Sequence, residues 1–237
     1  MIAIRWSLPV PPHSASGTVT TEDCKKSQVE EEGDTGKGGG EVGPVVYAHA
    51  LLHFTVVQPG GMLLVWLRER ELPETSVTTF VAAAQLAGAA GSWVPALALR
   101  GSGGQLERAA AKVQALQAAA VVGAAAAVYS GSVYALLLAT TLSRPALWGI
   151  DLLGRQVVQM RAGGPGRRMQ AFALQGSLST VAACAMYLLA FSGASFQTQC
   201  FASSASVLCA AAILAVNARR DEAARIAPRT SIKAKTE

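Results

Sequence analysis

The 50 residues between Arg168 and Arg219 include no Asp, Glu, Lys or Arg. A helix that crosses the hydrocarbon core of a bilayer needs roughly 20 mostly apolar residues, and its backbone amides must all be bonded internally. The run is long enough for two such helices and a turn, whereas a single helix of that length would extend for roughly 75 Å. We therefore predict an integral membrane protein whose C-terminal part crosses the bilayer as a helical hairpin.

Three further charge-free runs come earlier in the chain. They hold 26, 25 and 31 residues and lie between Glu41 and Arg68, Glu74 and Arg100, and Lys112 and Arg144. Charged residues make up only 15% of the 237-residue chain, against about 25% in a typical soluble domain. The predicted fold class is all-α, a four-transmembrane-helix bundle over 76–218 with spans at about 76–99, 113–142, 170–192 and 200–218.

The segments outside this bundle have different compositions. Residues 1–43 are Gly-rich and acidic, which predicts a disordered N-terminal tail. Residues 219–237 form a basic tail, predicted to be cytoplasmic. The segment 44–75 is long and apolar, but Pro59 and the two glycines that follow interrupt it. Because Pro breaks a helix and Gly weakens it, we favour an interfacial or re-entrant segment, with an extra transmembrane span as the alternative.

Basic residues predict the orientation, because Lys and Arg concentrate in cytoplasmic loops. The segment 143–169 and the tail together hold eleven basic residues, against three in the loop that contains Arg108. With four spans, both termini of this multi-pass protein are therefore predicted to be cytoplasmic. With five, the N-terminus would be outside. The candidate residues for topology and contact with lipid headgroups are Arg144, Arg155, Arg161, Arg167, Arg168, Arg219 and Arg220.

The predicted spans contain no residues that point to catalysis. His13, His49 and His53 precede the spans, and no acid or base lies within them. Proton relays and ion pathways usually need ionisable groups inside the membrane. The cysteines lack metal-ligand spacing. We predict a non-enzymatic protein with no catalytic, cofactor or metal site. We also predict no nucleic-acid partner, because the basic residues behind the net charge of +5 lie where membrane topology would place them.

Small residues recur at helical spacing in three of the predicted spans. Such stripes allow helix backbones to approach closely in a membrane. The predicted helix-packing residues are Ala119, Gly123, Ala127 and Gly131, then Gly176, Thr180 and Cys184, then Ala202, Ser206 and Ala210. They favour packing within the bundle first, and a homo-oligomer or other membrane proteins as partners second.

Two spans carry a resemblance to a known family. The stretch ALQAAAVVGAAAAVYSGSVYALLLA (115–139), with Tyr129-Ser130, resembles the second span of Casparian strip membrane protein-like (CASP-like) proteins, which are MARVEL-type four-helix proteins. Cys200, Phe201 and Ala205-Ser206-Val207 resemble their fourth span. That family typically has an Arg in its first span and an Asp in its third. The sequence departs from this pattern in both places, because Arg100 lies only at the end of the first span and the third span has no acidic residue. The resemblance implies a non-enzymatic scaffold that assembles laterally in the plasma membrane and recruits other proteins.

The preferred hypothesis is therefore a membrane scaffold that self-associates and organises a membrane domain. The alternative is an accessory subunit of a larger membrane protein complex or transporter. A pore former is the third hypothesis, which the uncharged spans disfavour.

Overall fold

A computed structural model describes residues 42–57 and 59–233, with side-chain burial assigned up to residue 224. The disordered tail predicted for 1–43 lies outside the described residues, apart from its last two positions. All regular structure in the described part is helical. The helices are α1 Gly43–Leu52, α2 Gly61–Glu69, α3 Glu74–Ala90, a 3-10 turn Gly91–Trp93, α4 Val94–Arg100, α5 Leu106–Tyr129, α6 Val133–Arg161, α7 Pro165–Phe191 and α8 Phe196–Lys233.

Five helical segments among the described residues are long and apolar enough to cross a membrane. They are Glu74–Arg100, Leu106–Tyr129, Val133–Arg161, Pro165–Phe191 and Phe196–Ala224. The prediction of an all-α, polytopic membrane protein is confirmed. The predicted count of four helices is wrong, because the predicted second span, 113–142, belongs to two helices.

The division of that predicted span lies between Tyr129 and Val133. Gly131 has φ of 72°, a left-handed conformation that side chains disfavour and glycine adopts readily. The Ser132 amide donates a hydrogen bond to the Ala127 carbonyl over 2.9 Å, which closes the end of α5. The charge-free run therefore comprises the end of one helix and the start of the next.

Helix α6 continues far beyond this run and ends at Arg161. The basic segment 143–169, predicted to be mainly a cytoplasmic loop, is therefore mostly helical. As a result Arg144, Asp151 and Arg155 belong to a helix long enough to span the membrane. The prediction that no ionisable group lies within the spans is wrong.

Ion pairs join α5, α6 and α8 at one end of the bundle. Arg161 Nη2 lies 3.2 Å from Glu107 Oε1 and also pairs with Asp221. Arg108 Nη2 lies 2.5 Å from Glu222 Oε1. The sequence placed Arg108 on the opposite side of the membrane from Arg161 and the C-terminal tail. That prediction is wrong, because the five charged groups meet at the same end, which we call the basic end.

Helix α1 lies inside the bundle, packed against α6, α7 and α8. Pro44 occupies its first turn, where a missing amide hydrogen costs nothing. Val45, Val46 and Ala48 are buried and pack against the basic-end halves of α5, α6 and α8. A second buried cluster, which includes Leu63 and Leu67 of α2, fills the opposite half. The connection between α1 and α2 therefore lies between the two halves of the core.

Candidate functional site

The connection at 53–60 interrupts what would otherwise be one helix through the core. Irregular backbone at membrane depth is tolerated only where protein or a cavity covers it. Two serines of α8 supply that cover. Ser206 Oγ donates to the Leu51 carbonyl over 2.8 Å, and Ser203 Oγ accepts from the Val56 amide over 2.9 Å. The hydrogen bonds lost at the end of α1 are thus replaced from a neighbouring helix.

Ser203→Ala is expected to destabilise the protein, because the buried Val56 amide would lose its partner. A buried donor left unsatisfied costs about 1–3 kcal/mol. Thermal unfolding of the purified protein in detergent measures the effect. Ser204→Ala is the matched control, since its hydroxyl bonds only the Cys200 carbonyl of its own helix. Equal melting temperatures for the two variants would contradict this role of Ser203.

Two cavities lie beside the interruption. The smaller, about 40 Å³, is lined by residues that include His53, Thr55, Met62 and Met186. The larger, about 530 Å³, shares Met62 and Tyr187 with it and opens along α2 and α7. Imidazole and thioether groups bind transition metals, whereas Ca²⁺ and Mg²⁺ prefer oxygen ligands. No group of three His, Cys, Asp or Glu side chains that could hold a metal is present among the described residues.

A hydrogen-bonded pair of ionisable side chains lies one turn before the interruption. His49 of α1 is buried, and its Nε2–H points at Asp151 Oδ1 of α6 over 2.7 Å. The other oxygen, Oδ2, accepts a hydrogen bond from Arg155 at 3.1 Å. The His53 ring lies 5.4 Å from the His49 ring, between centroids. Because His53 also lines the smaller cavity, the ionisable cluster reaches that cavity.

Two features of α6 shape this region. A Cβ atom at Gly154 would lie 3.3 Å from His49 Cδ2, so the glycine allows α1 to approach closely. Arg144 is buried on the same helix, and its Nε has no hydrogen-bond partner among the described residues. Charged groups inside a membrane domain are costly and usually functional. Helix α6 therefore carries two ionisable groups that face other helices, the buried Arg144 and the partly buried Asp151.

The predicted helix-packing residues occupy different environments. In α5 and the following turn, Ala127 is buried, whereas Ala119, Gly123 and Gly131 are exposed. In α8, Ser206 and Ala210 are buried and Ala202 is half-buried. The α7 residues Gly176, Thr180 and Cys184 are all exposed. Their role in helix association stays a prediction.

The predicted headgroup residues also differ in environment. Arg144 is buried, and the Arg161 side chain is only 12% exposed within its ion pairs. Both are therefore poorly placed to meet a headgroup. Arg155 is exposed but paired with Asp151. The remaining four, Arg167, Arg168, Arg219 and Arg220, are exposed.

Sequence reasoning missed the cluster of His49, His53 and Asp151. The two histidines were set aside because they precede the predicted spans, and Asp151 because it fell in a predicted loop. The spacing of Ile150, Leu153 and Val157 around Asp151 is helical and predicts a short helix with an apolar face, but it does not show that this helix continues a membrane span.

An interrupted core helix, a cavity beside it and ionisable groups that face the interior are typical of secondary transporters. The fold and site thus define a polytopic helical protein of the transporter type. Residues 41–213 match the family model described as Ferroportin1 (FPN1). The chain belongs to the ferroportin family.

Solved structures of bacterial proteins share the fold. A bacterial homologue of the iron transporter ferroportin in an outward-facing state is 24% identical, with a TM-score of 0.68 over 79% of this chain and 47% of that one. An inward-facing structure gives 26% identity and a TM-score of 0.65, over 74% and 44%. A bacterial metal transporter gives 26% and 0.63, over 72% and 47%. None of the curated proteins matches the chain.

The family membership corrects two predictions. The resemblance to CASP-like and MARVEL proteins is wrong, and so is the self-associating scaffold inferred from it. The alternative, a part of a larger membrane complex or transporter, agrees better with the family. The chain spans less than half the length of the solved transporters that it matches.

Proposed function

We propose that this chain is one lobe of a ferroportin-type transporter that moves a divalent transition-metal ion, such as iron, across a membrane. The observation that carries the proposal is the interrupted helix α1–α2, whose irregular residues line a cavity beside the partly buried, hydrogen-bonded pair of His49 and Asp151. Family membership supports it, and so does the similarity to a bacterial homologue of the iron transporter ferroportin and to a bacterial metal transporter. The lobe would carry no enzymatic activity.

The cargo would bind partly at the interruption. His53 supplies an imidazole, and Met62 and Met186 supply thioethers, all on the wall of the smaller cavity. This set favours a transition metal over Mg²⁺ or Ca²⁺. Because the lobe offers few donors, the remaining ligands would come from a second lobe or from water.

A second lobe would complete the transport path. The homologues are about twice as long as the part this chain matches, and they have been solved in outward- and inward-facing states. Within α7 only Gln175 and Met186 are buried. The exposed small residues of α7, which include Gly176 and Thr180, would let a second lobe approach closely. Alternating access would then come from rocking of the two lobes around the site.

The proposed topology has six crossings, with α1 and α2 together forming the first. Both termini and the connections at 101–105 and 162–164 then lie on one side, which is the basic end. The connections at 70–73, 130–132 and 192–195 lie on the other side. The last two contain no charged residue, and the first contains Arg70 and Glu71, whose charges cancel. The positive-inside rule places the basic end in the cytoplasm. Location in the plasma membrane stays a prediction.

Removal of the cavity sulfurs is expected to weaken metal binding. The experiment titrates Co²⁺ and Mg²⁺ into the full chain in lipid nanodiscs, with calorimetric detection. Wild type should bind Co²⁺ and not Mg²⁺. The double variant Met62→Leu/Met186→Leu, which conserves volume, should bind Co²⁺ at least about tenfold more weakly, equivalent to roughly 1.4 kcal/mol.

Met169→Leu is the control for this titration, because Met169 is an exposed methionine of α7 that does not line the cavity. Its Co²⁺ affinity should equal that of wild type. No Co²⁺ binding by wild type, or equal affinities in all three proteins, would overturn the proposed site.

A further inference from the structure

A groove between α5 and α8 opens at the basic end of the bundle. Its volume is about 330 Å³. Four alanines line it, and three basic side chains and one carboxylate border it. The alanines are Ala111, Ala115, Ala215 and Ala218, and the charged residues are Arg108, Lys112, Arg219 and Glu222. A groove of methyl groups with a cationic end is chemically amphipathic.

The groove lies where the apolar parts of both helices stop. In α5 the charge-free sequence begins directly after Lys112, and in α8 it ends directly before Arg219. In a membrane, such a boundary coincides with the headgroup region, and long basic side chains reach toward it. The cations of the groove therefore lie at the depth of lipid phosphates.

The charges within the groove do not cancel. Arg108 is paired with Glu222. The Lys112 ammonium donates to the Gly101 carbonyl at 2.7 Å, which leaves its charge uncompensated. Arg219 is exposed and has no ion-pair partner among the described residues. Lys112 and Arg219 thus leave two positive charges available to an anion.

The four alanines indicate which kind of anion fits the groove. A free phosphate ion makes no favourable contact with an apolar wall, whereas a phospholipid has both a phosphate for the cations and an acyl chain for the alanines. The exposed Leu116 of α5 and Leu208 of α8 continue the apolar surface away from the basic end. An acyl chain can therefore follow the alanines into the bilayer while the phosphate stays at the cations.

We propose that the groove between α5 and α8 is a binding site for an anionic phospholipid of the cytoplasmic leaflet, with its phosphate held by Lys112 and Arg219. Basic pockets between transmembrane helices on the cytoplasmic side are a recognised way of binding such headgroups. Among the described residues, none of α5 or α8 lines the smaller cavity at the α1–α2 interruption, so the proposed lipid site stands whether or not the chain moves a metal.

Native mass spectrometry of the full chain in detergent tests the proposal, with phosphatidylglycerol and phosphatidylcholine as ligands. Wild type should retain phosphatidylglycerol preferentially. Lys112→Gln/Arg219→Gln should lose most of that preference, at roughly fivefold for each charge removed. Arg167→Gln/Arg168→Gln removes two charges from the same end but outside the groove, and should retain the preference.

A second pair of variants tests whether the lipid binds in the groove itself or only to the positive charge of the surface. Ala115→Leu places a larger side chain on the alanine wall at an exposed position, and should weaken phosphatidylglycerol binding with all charges present. Ala126→Leu makes the same change at an exposed position of α5 outside the groove and should have no effect. Equal losses in the two charge variants would overturn the proposal. So would unchanged binding in Ala115→Leu, or displacement of the lipid by millimolar inorganic phosphate.

Discussion

Asp151→Asn is expected to destabilise the lobe and to weaken its binding of Co²⁺. Asp151 accepts hydrogen bonds from His49 and Arg155 through its two oxygens, so one substitution weakens both. A hydrogen bond to a charged group contributes about 1.5–3 kcal/mol. The partial exposure of Asp151 favours the lower end of this range. In a protein of this size the melting temperature should fall by roughly 2–4 °C for each kcal/mol.

Two further variants separate stability from function at this pair. Arg155→Gln removes only the exposed partner, and should cost less than about 1 kcal/mol. His49→Leu/Asp151→Leu replaces both partners by apolar groups, which often restores stability. We expect that double variant to recover the melting temperature without recovering Co²⁺ affinity in nanodiscs. If Asp151→Asn melted and bound Co²⁺ like Arg155→Gln, the His49–Asp151 contact would have no special role.

Gly149→Ala is expected to force α4 and α6 apart. A Cβ atom at Gly149 would lie 2.6 Å from Val94 Cγ1 and 2.8 Å from Val94 Cβ, far inside van der Waals contact. Overpacking of a close-packed interior typically costs about 1–3 kcal/mol. Denaturant or thermal unfolding in detergent measures the loss.

The clash at Gly149 comes from one side chain, so it can be partly relieved. Gly149→Ala/Val94→Ala removes the contact with Cγ1 but keeps the contact with Cβ at 2.8 Å, so it should recover only part of the lost stability, and the double-mutant cycle should give a measurable coupling energy. Gly176→Ala is the matched control, because a Cβ atom there meets nothing within 4 Å. The opposite result, in which Gly149→Ala unfolds no more easily than Gly176→Ala, would mean that α4 and α6 adjust freely.

The distribution of charge determined the fold class from sequence but not the number of helices. A charge-free run marks apolar sequence and does not mark where a helix stops. In 113–142 the stop is a turn at Gly131, which no charged residue or proline announces. In 143–161 the prediction failed in the opposite way, because the continuation of a helix was predicted to be mainly a loop. Charges were taken as the sign of a loop, although Arg161 lies within a helix and pairs with carboxylates of two other helices.

At the candidate site too, the local sequence predicted one feature, and contacts between distant segments determined another. Pro59 and Gly60 announced an interruption from sequence alone, because Pro and Gly disrupt helices in any context. The sequence did not indicate that Ser203 Oγ of α8 would accept a hydrogen bond from the Val56 amide, since these residues are far apart in the chain. The family resemblance failed for a related reason, because Ala-rich spans are similar in many membrane proteins.

The sequence by itself determined that this protein lies in a membrane as a set of apolar helices with one weak point at Pro59. That information is local, because apolar length and the missing amide of proline act within each segment. Only the tertiary structure decided that His49 meets Asp151, and that Arg108 shares an end with Arg161. Those contacts depend on the directions in which helices leave their turns and on close approaches at residues such as Gly154. Both are set by packing between distant segments.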